Sequence, residues 1–309
     1  KNIYFLSNVN HSPVEFDFMC DHDLLDENHE QNSSNPRMSF ASGCVDVAID
    51  IDYYTFQTFE SSESAVDWAL EIISVVSELF NEEISIGLKS SSAQVWEVQD
   101  PYSNYVEDAQ EMLFSIRENW SNNNAFLQID RDLVHLFSKR NDTGTGGIAF
   151  LNGIGSSWNG YGFSSNLSDE SEYVNLPVPY FFWNIYCFAH EIGHNFGAKH
   201  TQWCGWEGGP IDNCTNLEEM VSGECSDYFN NPEPQIGTIM SYCHTWSFES
   251  GGGIVLKFHE LVKNTIITYA GLQNIEPCIE PVFGCVDPEA CNYDVLAIDD
   301  GSCIYPEIG

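Results

Sequence analysis

Positive charge is what this sequence has least of: 10 Lys and Arg stand against 47 Asp and Glu in 309 residues, a formal net charge of −37. A chain so short of cations cannot neutralise phosphates, so nucleic acid, anionic membrane and other acidic partners are not expected. Self-repulsion of this size is tolerated where salt shortens the Debye length, which fits a saline habitat or bound divalent cations; a merely solubilising acidic surface fits as well. Long apolar runs are also missing. The most apolar stretch, Tyr180 to Ala189, is interrupted by Asn184 and falls short of the roughly 18 residues of a transmembrane helix, so a soluble protein is expected. No charged-then-apolar signal pattern starts at Lys1; if the protein is exported, that segment is already gone from the chain. None of the 11 cysteines forms a CxxC pair, which argues against a redox motif or structural zinc finger. They argue for disulfides in an oxidising, extracellular compartment, and their odd number leaves at least one without an intrachain partner. Nor is the glycine-rich GGIAFLNGIG (146 to 155) a phosphate cradle, because no Lys-Ser/Thr follows and no helix opens there.

What is present is concentrated in His190 to His200, HEIGHNFGAKH. His190 and His194 are four apart, which puts both imidazoles on one face of a helix, with Glu191 beside them to reach a metal-activated water. A catalytic zinc needs a third protein ligand that leaves one position open, and His200 supplies it. A straight helix would carry His200 to another face. The chain must break first, and Gly197 can take the left-handed turn that ends a helix. A bare HExxH arises by chance on many helices; with the glycine and third histidine added, a chance match is well under roughly one in a thousand.

HExxHxxGxxH resembles the signature of the metzincin zinc endopeptidases, and its wording here is most similar to the reprolysin (adamalysin) branch. The resemblance implies a methionine turn beneath the metal, and Thr238-Ile239-Met240-Ser241-Tyr242 matches it, with Met240 forty residues after His200. Met240 reads as a packing floor, since a thioether is a poor zinc ligand beside three imidazoles. One departure stands out: reprolysins carry aspartate after the third histidine, and this chain has Thr201. Tyr242 matches the place of a metal-reaching tyrosine in the astacin and serralysin branches; it either helps stabilise the oxyanion or walls the pocket. Metzincins also lay an antiparallel edge strand over the cleft just before the active-site helix, and Gly147, Ile148, Ala149 and Phe150 are expected to form it. An extended peptide substrate could pair with that edge. Cys20, in FDFMCDHDLL, resembles a propeptide cysteine that blocks the open zinc position; the competing reading is a Cys20–Cys44 disulfide. Removing Cys20 makes the cysteine count even, which tilts the choice towards the switch. HEQNSSNPR (29 to 37) reads as a linker where such a segment would be cut.

The rest of the chain predicts an α/β fold. VDVAIDIDYYTF (45 to 56) alternates apolar and acidic residues like a strand with one buried face. Glu63 to Phe80 places Ala65, Trp68, Ala69, Ile72, Ile73, Val76 and Phe80 at helical spacing. A strand region over Ile84 to Gln99, a helix over Glu107 to Asn119 and a strand over Ala125 to Phe137 follow. This βαβαβ order argues for a mainly parallel twisted sheet covered by helices. SSWNGYGFSSNLSDESEY reads as a loop with a little strand. The active-site helix is expected from near Pro179 to Gly197, buried through Phe181, Phe182, Ile185, Phe188, Ile192 and Phe196. Beyond His200 an irregular stretch with Cys204, Cys214, Cys225 and Cys243 needs disulfides to pin it, and Phe258 to Tyr269 makes a last amphipathic helix. His11, His22, His29, His135, His244 and His259 have no motif spacing and read as surface or satisfied core histidines.

The tail changes character. FGCVDPEACNYDVLAIDDGSC (283 to 303) resembles short acidic modules appended to secreted bacterial proteins. Asp287, Asp294, Asp299 and Asp300 offer oxygen ligands for Ca2+, without EF-hand spacing; a disulfide-tied acidic knob is the other reading. The expected organisation is an extension or propeptide tail over 1–42, a metzincin-type domain over 43–276 and a small module over 277–309. In fold terms it is a twisted mixed sheet with an antiparallel edge strand, a long active-site helix and an irregular disulfide-tied subdomain. The expected function is a secreted, monomeric Zn2+ endopeptidase of protein or peptide substrates, with Glu191 as general base. A binding module without turnover and an exopeptidase are the rivals. The first would be expected to have lost Glu191 or a histidine, and nothing suggests a pocket for a terminal amine.

Overall fold

The computed structural model describes residues 43–90, 92–168, 180–218 and 231–278, with short pieces of the tail at 283–285, 287, 290, 298–299, 303 and 305. Cys20, Cys225, the 29–37 linker and the side chains of Phe181 and Phe182 lie outside the described residues, as do Asp294 and Asp300.

The first strand, β1 (Gly43–Ile51), is central, with β2 (Ile86–Lys89) and β3 (Ala93–Val95) along one side and β4 (Leu133–Phe137) on the other, all parallel to it. Its alternation therefore does not mark one buried and one wet face. Val45, Val47, Ile49 and Ile51 join one core, Ala48 joins a second on the opposite face, and Asp50 is fully buried with them. The acid is tolerated because three donors meet it: Tyr102 Oη at 2.5 Å, Trp120 Nε1 at 2.6 Å and Trp96 Nε1 at 2.9 Å. The strand also stops earlier than its pattern predicts. Asp52 accepts a hydrogen bond from the Thr55 N–H and caps a one-turn helix, α1 (Tyr53–Phe56).

Helix α2 (Ser62–Ile84) starts at a reciprocal Ser61–Ser64 cap and ends where Ser85 turns left-handed, φ 59°. It buries the predicted stripe, extended by Leu79 and Ile84. The single strand expected over 84–99 is two, because β1 offers β2 its first half and β3 its second. Helix α3 (Ala109–Asn122) covers the second core. The strand expected over 125–137 is confined to β4; before it, residues 126–128 form a 3-10 turn.

Sheet order is β2-β1-β4-β6-β5, with β6 (Tyr161–Ser164) parallel to β4 and β5 (Gly147–Ala149) antiparallel at the end. The antiparallel edge strand is thus where the sequence predicts it, although Phe150 lies just past its end, and β6, hidden in the expected loop, comes between it and the helix. Helix α4 (Tyr180–Asn195) packs against β5, β6 and α2, and its Ile185, Phe188 and Ile192 are fully buried, as is Phe196 just past its end. Helix α5 (Glu260–Ala270) closes the core beside α2. No helix among the described residues is long and apolar enough to cross a membrane.

Between α4 and α5 regular structure shrinks to two-residue strands, β7 (Ile236–Gly237) and β8 (Gly253–Ile254), and the Cys214–Cys243 disulfide pins this region. Cys204 is also disulfide-bonded. Cys44 pairs with Cys278, not with Cys20, which removes the clasp reading of the N-terminal segment. Cys187 is a buried free cysteine and absorbs the odd count, so arithmetic no longer singles out Cys20. In the tail, Cys285 is bonded to Cys303, while β9 (Phe283–Gly284) and β10 (Ile298–Asp299) pair in parallel.

Candidate metal centre

The helix carrying the histidines ends as its sequence dictates. Gly197, at φ +82°, donates to His194 O at 2.7 Å, and Ala198 N donates to Gly193 O at 3.0 Å, the paired bonds of a Schellman turn. The turn sends the chain back so that His200 faces the helix. Its Nε2 lies 3.0 Å from His190 Nε2 and 3.2 Å from His194 Nε2. A tetrahedral zinc with nitrogens at about 2.0–2.1 Å requires neighbouring ligand atoms about 3.3 Å apart, so the cluster has the right size. His190, His194 and His200 are one of two groups among the described residues whose donor atoms converge as metal ligands do. The other, Asp212, Cys214 and Cys243, has its two sulfurs joined in a disulfide and offers no thiolate. No calcium-type cluster of carboxylates occurs among the described residues.

The outer nitrogens settle the tautomers. His190 Nδ1 meets Ile239 O at 2.6 Å, His194 Nδ1 meets Ala198 O at 2.8 Å, and His200 Nδ1 meets both oxygens of Glu218, at 2.9 and 3.0 Å. Each acceptor requires an N–H at Nδ1, leaving the Nε2 lone pair of every ring turned inward. Burial, reinforced by the neighbouring ring, holds His190 and His200 well below the usual imidazole range, so both are neutral, as metal ligation requires. The donor set fits zinc.

The methionine turn lies under these rings. A Cβ on Gly193 would come within 2.5 Å of Met240 Sδ, so the glycine inside HEIGH is where the fully buried Met240 fits beneath the helix. Tyr186 Oη donates to Ser241 O at 2.6 Å and fastens the turn to α4. Thr201, the departure from the reprolysin pattern, donates to Met240 O from its N–H at 2.9 Å and its hydroxyl at 3.1 Å. Asp212, from the irregular stretch, reaches the same place: its side chain hydrogen-bonds Thr201 and Ser241, and burial raises its pKa. Tyr242 is buried with its ring 4.4 Å from that of His200 and stacked 5.9 Å from that of His190.

Glu191 is completely buried on the side of the helix facing β5, and a Cβ on Gly147 would strike its carboxylate. Along β5 the pairing alternates: Gly146 O and Phe150 N bond across to β6, and Ile148 faces Phe163 between them. The main-chain N–H and C=O of Gly147 and Ala149 consequently point away from β6, whereas those of Ile148 and Phe150 are directed at it. Phe150 itself packs its ring on Phe114 in the second core.

Several residues of this site carry no sequence signal. Glu218 and Asp212 sit in an irregular stretch at no motif spacing, and only folding brings them to His200 and Thr201. Of the histidines outside the motif, His135 is a fully buried core residue bonded to Ser164 Oγ at 2.9 Å. His244 stands closer to the site than its spacing implies, with its ring 4.9 Å from Tyr186 and 6.0 Å from Tyr242. The family model Reprolysin_5, of metallo-peptidase family M12, matches residues 42–250, more than half of the chain and including every residue of the histidine cluster and the methionine turn. The chain belongs to metallo-peptidase family M12.

Proposed function

We propose that this protein is a secreted, zinc-dependent endopeptidase that cleaves internal peptide bonds of protein substrates with Glu191 as general base. The observation that carries the reading is the convergence of three imidazole Nε2 atoms beside a carboxylate that touches the edge strand. When bound, zinc supplies the Lewis acidity that makes water a nucleophile near neutral pH. Glu191 takes the proton of the attacking water and hands it to the departing amine. The substrate backbone pairs with the outward N–H groups of Gly147 and Ala149 and the Ala149 C=O, the Gly147 C=O already accepting from Thr145 Oγ1 at 2.9 Å; such recognition is indifferent to side-chain identity and suits internal cleavage. Because Gly147 touches Glu191, the base and the strand that aligns the scissile bond are held in register with each other. The Tyr242 phenol is assigned as a donor to the developing oxyanion, supported by its ring lying on two ligand rings. Secretion is supported by the disulfides.

Glu191→Gln tests the reading. The variant is expected to retain zinc and lose almost all cleavage of an internally quenched peptide, while a chelator silences the parent. Hydrolysis by the parent that survives zinc removal, or equal loss of zinc and turnover in the variant, would overturn it.

A further inference from the structure

Two of the three histidines are held by the helix that carries them, and each gives its Nδ1–H to a main-chain carbonyl. His200 lies beyond the Schellman turn, in a stretch without regular structure, so no helix fixes its ring. Its Nδ1 meets a carboxylate instead, bound evenly by both oxygens at 2.9 and 3.0 Å. The Glu218 side chain is only 13% exposed, so this pair is shielded from water and salt. The carboxylate is itself anchored. Gln202 Nε2 donates to Oε1, Glu218 N donates to Gln202 O at 3.3 Å, and Cys204 N donates to Glu218 O at 3.2 Å. The strap from 202 to 204 thus grips Glu218 from both sides of Trp203, its bridge partner, and Cys204 is tied down by a disulfide.

We propose that Glu218 is a positioning residue for the metal: it locks His200 in the Nδ1–H tautomer with Nε2 turned to the zinc, and so supplies the rigidity that α4 gives the other two ligands. This rests on the zinc-site reading above. A ligand on an irregular segment loses rotamer freedom when it binds metal unless a partner has already restricted it. A charged acceptor also raises the donor strength of the opposite nitrogen.

The test is zinc affinity of the purified full chain, measured by competition with a chromophoric chelator, together with 15N NMR of the His200 ring in the metal-free protein. Glu218→Ala should weaken zinc binding by about 10- to 100-fold and let the His200 ring populate both tautomers. Glu218→Gln, whose amide oxygen still accepts from Nδ1, should lose less and keep the Nδ1–H form; it carries the test if the alanine variant does not fold. Parent-like zinc affinity in Glu218→Ala, or an equal loss in both variants with the His200 tautomer unchanged, would overturn the assignment. A parent that binds zinc but cleaves no peptide would sink the peptidase reading and leave this one standing.

Discussion

Gly147 and Glu191 are in such close contact that a methyl group on the glycine would lie 2.5 Å from Glu191 Oε1 and 2.8 Å from its Cγ. The strand needs no glycine there for conformational reasons; the carboxylate needs the space. Gly147→Ala is therefore expected to push the Glu191 carboxylate, the proposed base, out of line while leaving the three histidines alone. A displacement near 1 Å corresponds to a loss of roughly 10²-fold in kcat. Zinc content should stay at the parent level, and a variant with parental kcat would detach Gly147 from the base.

Gly193 makes the matching contact on the other side of the helix. Ala is worth about 1 kcal/mol over Gly in a helix interior, yet overpacking a filled core costs about 1–3 kcal/mol. With Met240 Sδ at 2.5 Å from the new Cβ and Phe258 behind it, overpacking should win. Gly193→Ala should melt several degrees lower, as read by calorimetry; a rise in Tm would show that Met240 moves aside freely.

Tyr242→Phe separates the phenol from the ring. Loss of one oxyanion donor corresponds to roughly 10²-fold in kcat, with KM little changed if the bond forms only in the transition state. If kcat stays where it was, the ring alone matters and Tyr242 is a wall against His190 and His200.

Two buried groups give stability opposite dependences on pH. Burial lowers His135 to about 3. Between that value and the unfolded 6.5 the unfolded chain holds the extra proton, so its contribution is complete above pH 6.5 and is lost as pH falls. Burial raises Asp50 to about 7, against the pull of Tyr102, Trp120 and Trp96. From 3.8 to 7 the folded chain holds the extra proton, and stability falls as pH rises. Each effect spans on the order of several kcal/mol and they offset across their shared window. In Tm profiles from pH 4 to 8, Asp50→Asn should lose stability more steeply on acidification than the parent, and His135→Gln less steeply. Parallel profiles for all three proteins would contradict these assignments.

Cys20 no longer has Cys44 as a rival partner, since Cys44 is bonded to Cys278. The proposed switch predicts that the intact chain is latent and that Cys20→Ala cleaves peptide without prior cutting. A variant no more active than its parent would end the proposal.

The histidine cluster was legible because its spacing is local: four residues of helix, a glycine turn, a third histidine. The helices were legible for the same reason, as the buried stripe of α2 shows. What escaped depends on contacts far apart in sequence. The acids of β1 read as a wet face, because nothing local announces that Trp96, Tyr102 and Trp120 converge on Asp50 from the second core. Strand β6 was legible only as a little strand inside a loop, because its four residues, one of them Gly162, are too few for periodicity to fix its extent. Glu218 and Asp212 look like any of the 47 acids until the irregular stretch folds back on His200 and Thr201. Disulfide partners cannot be read from cysteine positions alone, and Cys44 finds Cys278 across 234 residues.

That last bond also decides what a cut in the chain does to the molecule. It joins the first strand to the segment just after the last helix, and Cys44 N also donates to Glu276 O at 2.7 Å. A proteolytic nick anywhere between residues 45 and 277 therefore opens the chain without dividing the molecule. On a gel without reductant the nicked protein would still run as one species, and only a thiol would reveal that it had been cut.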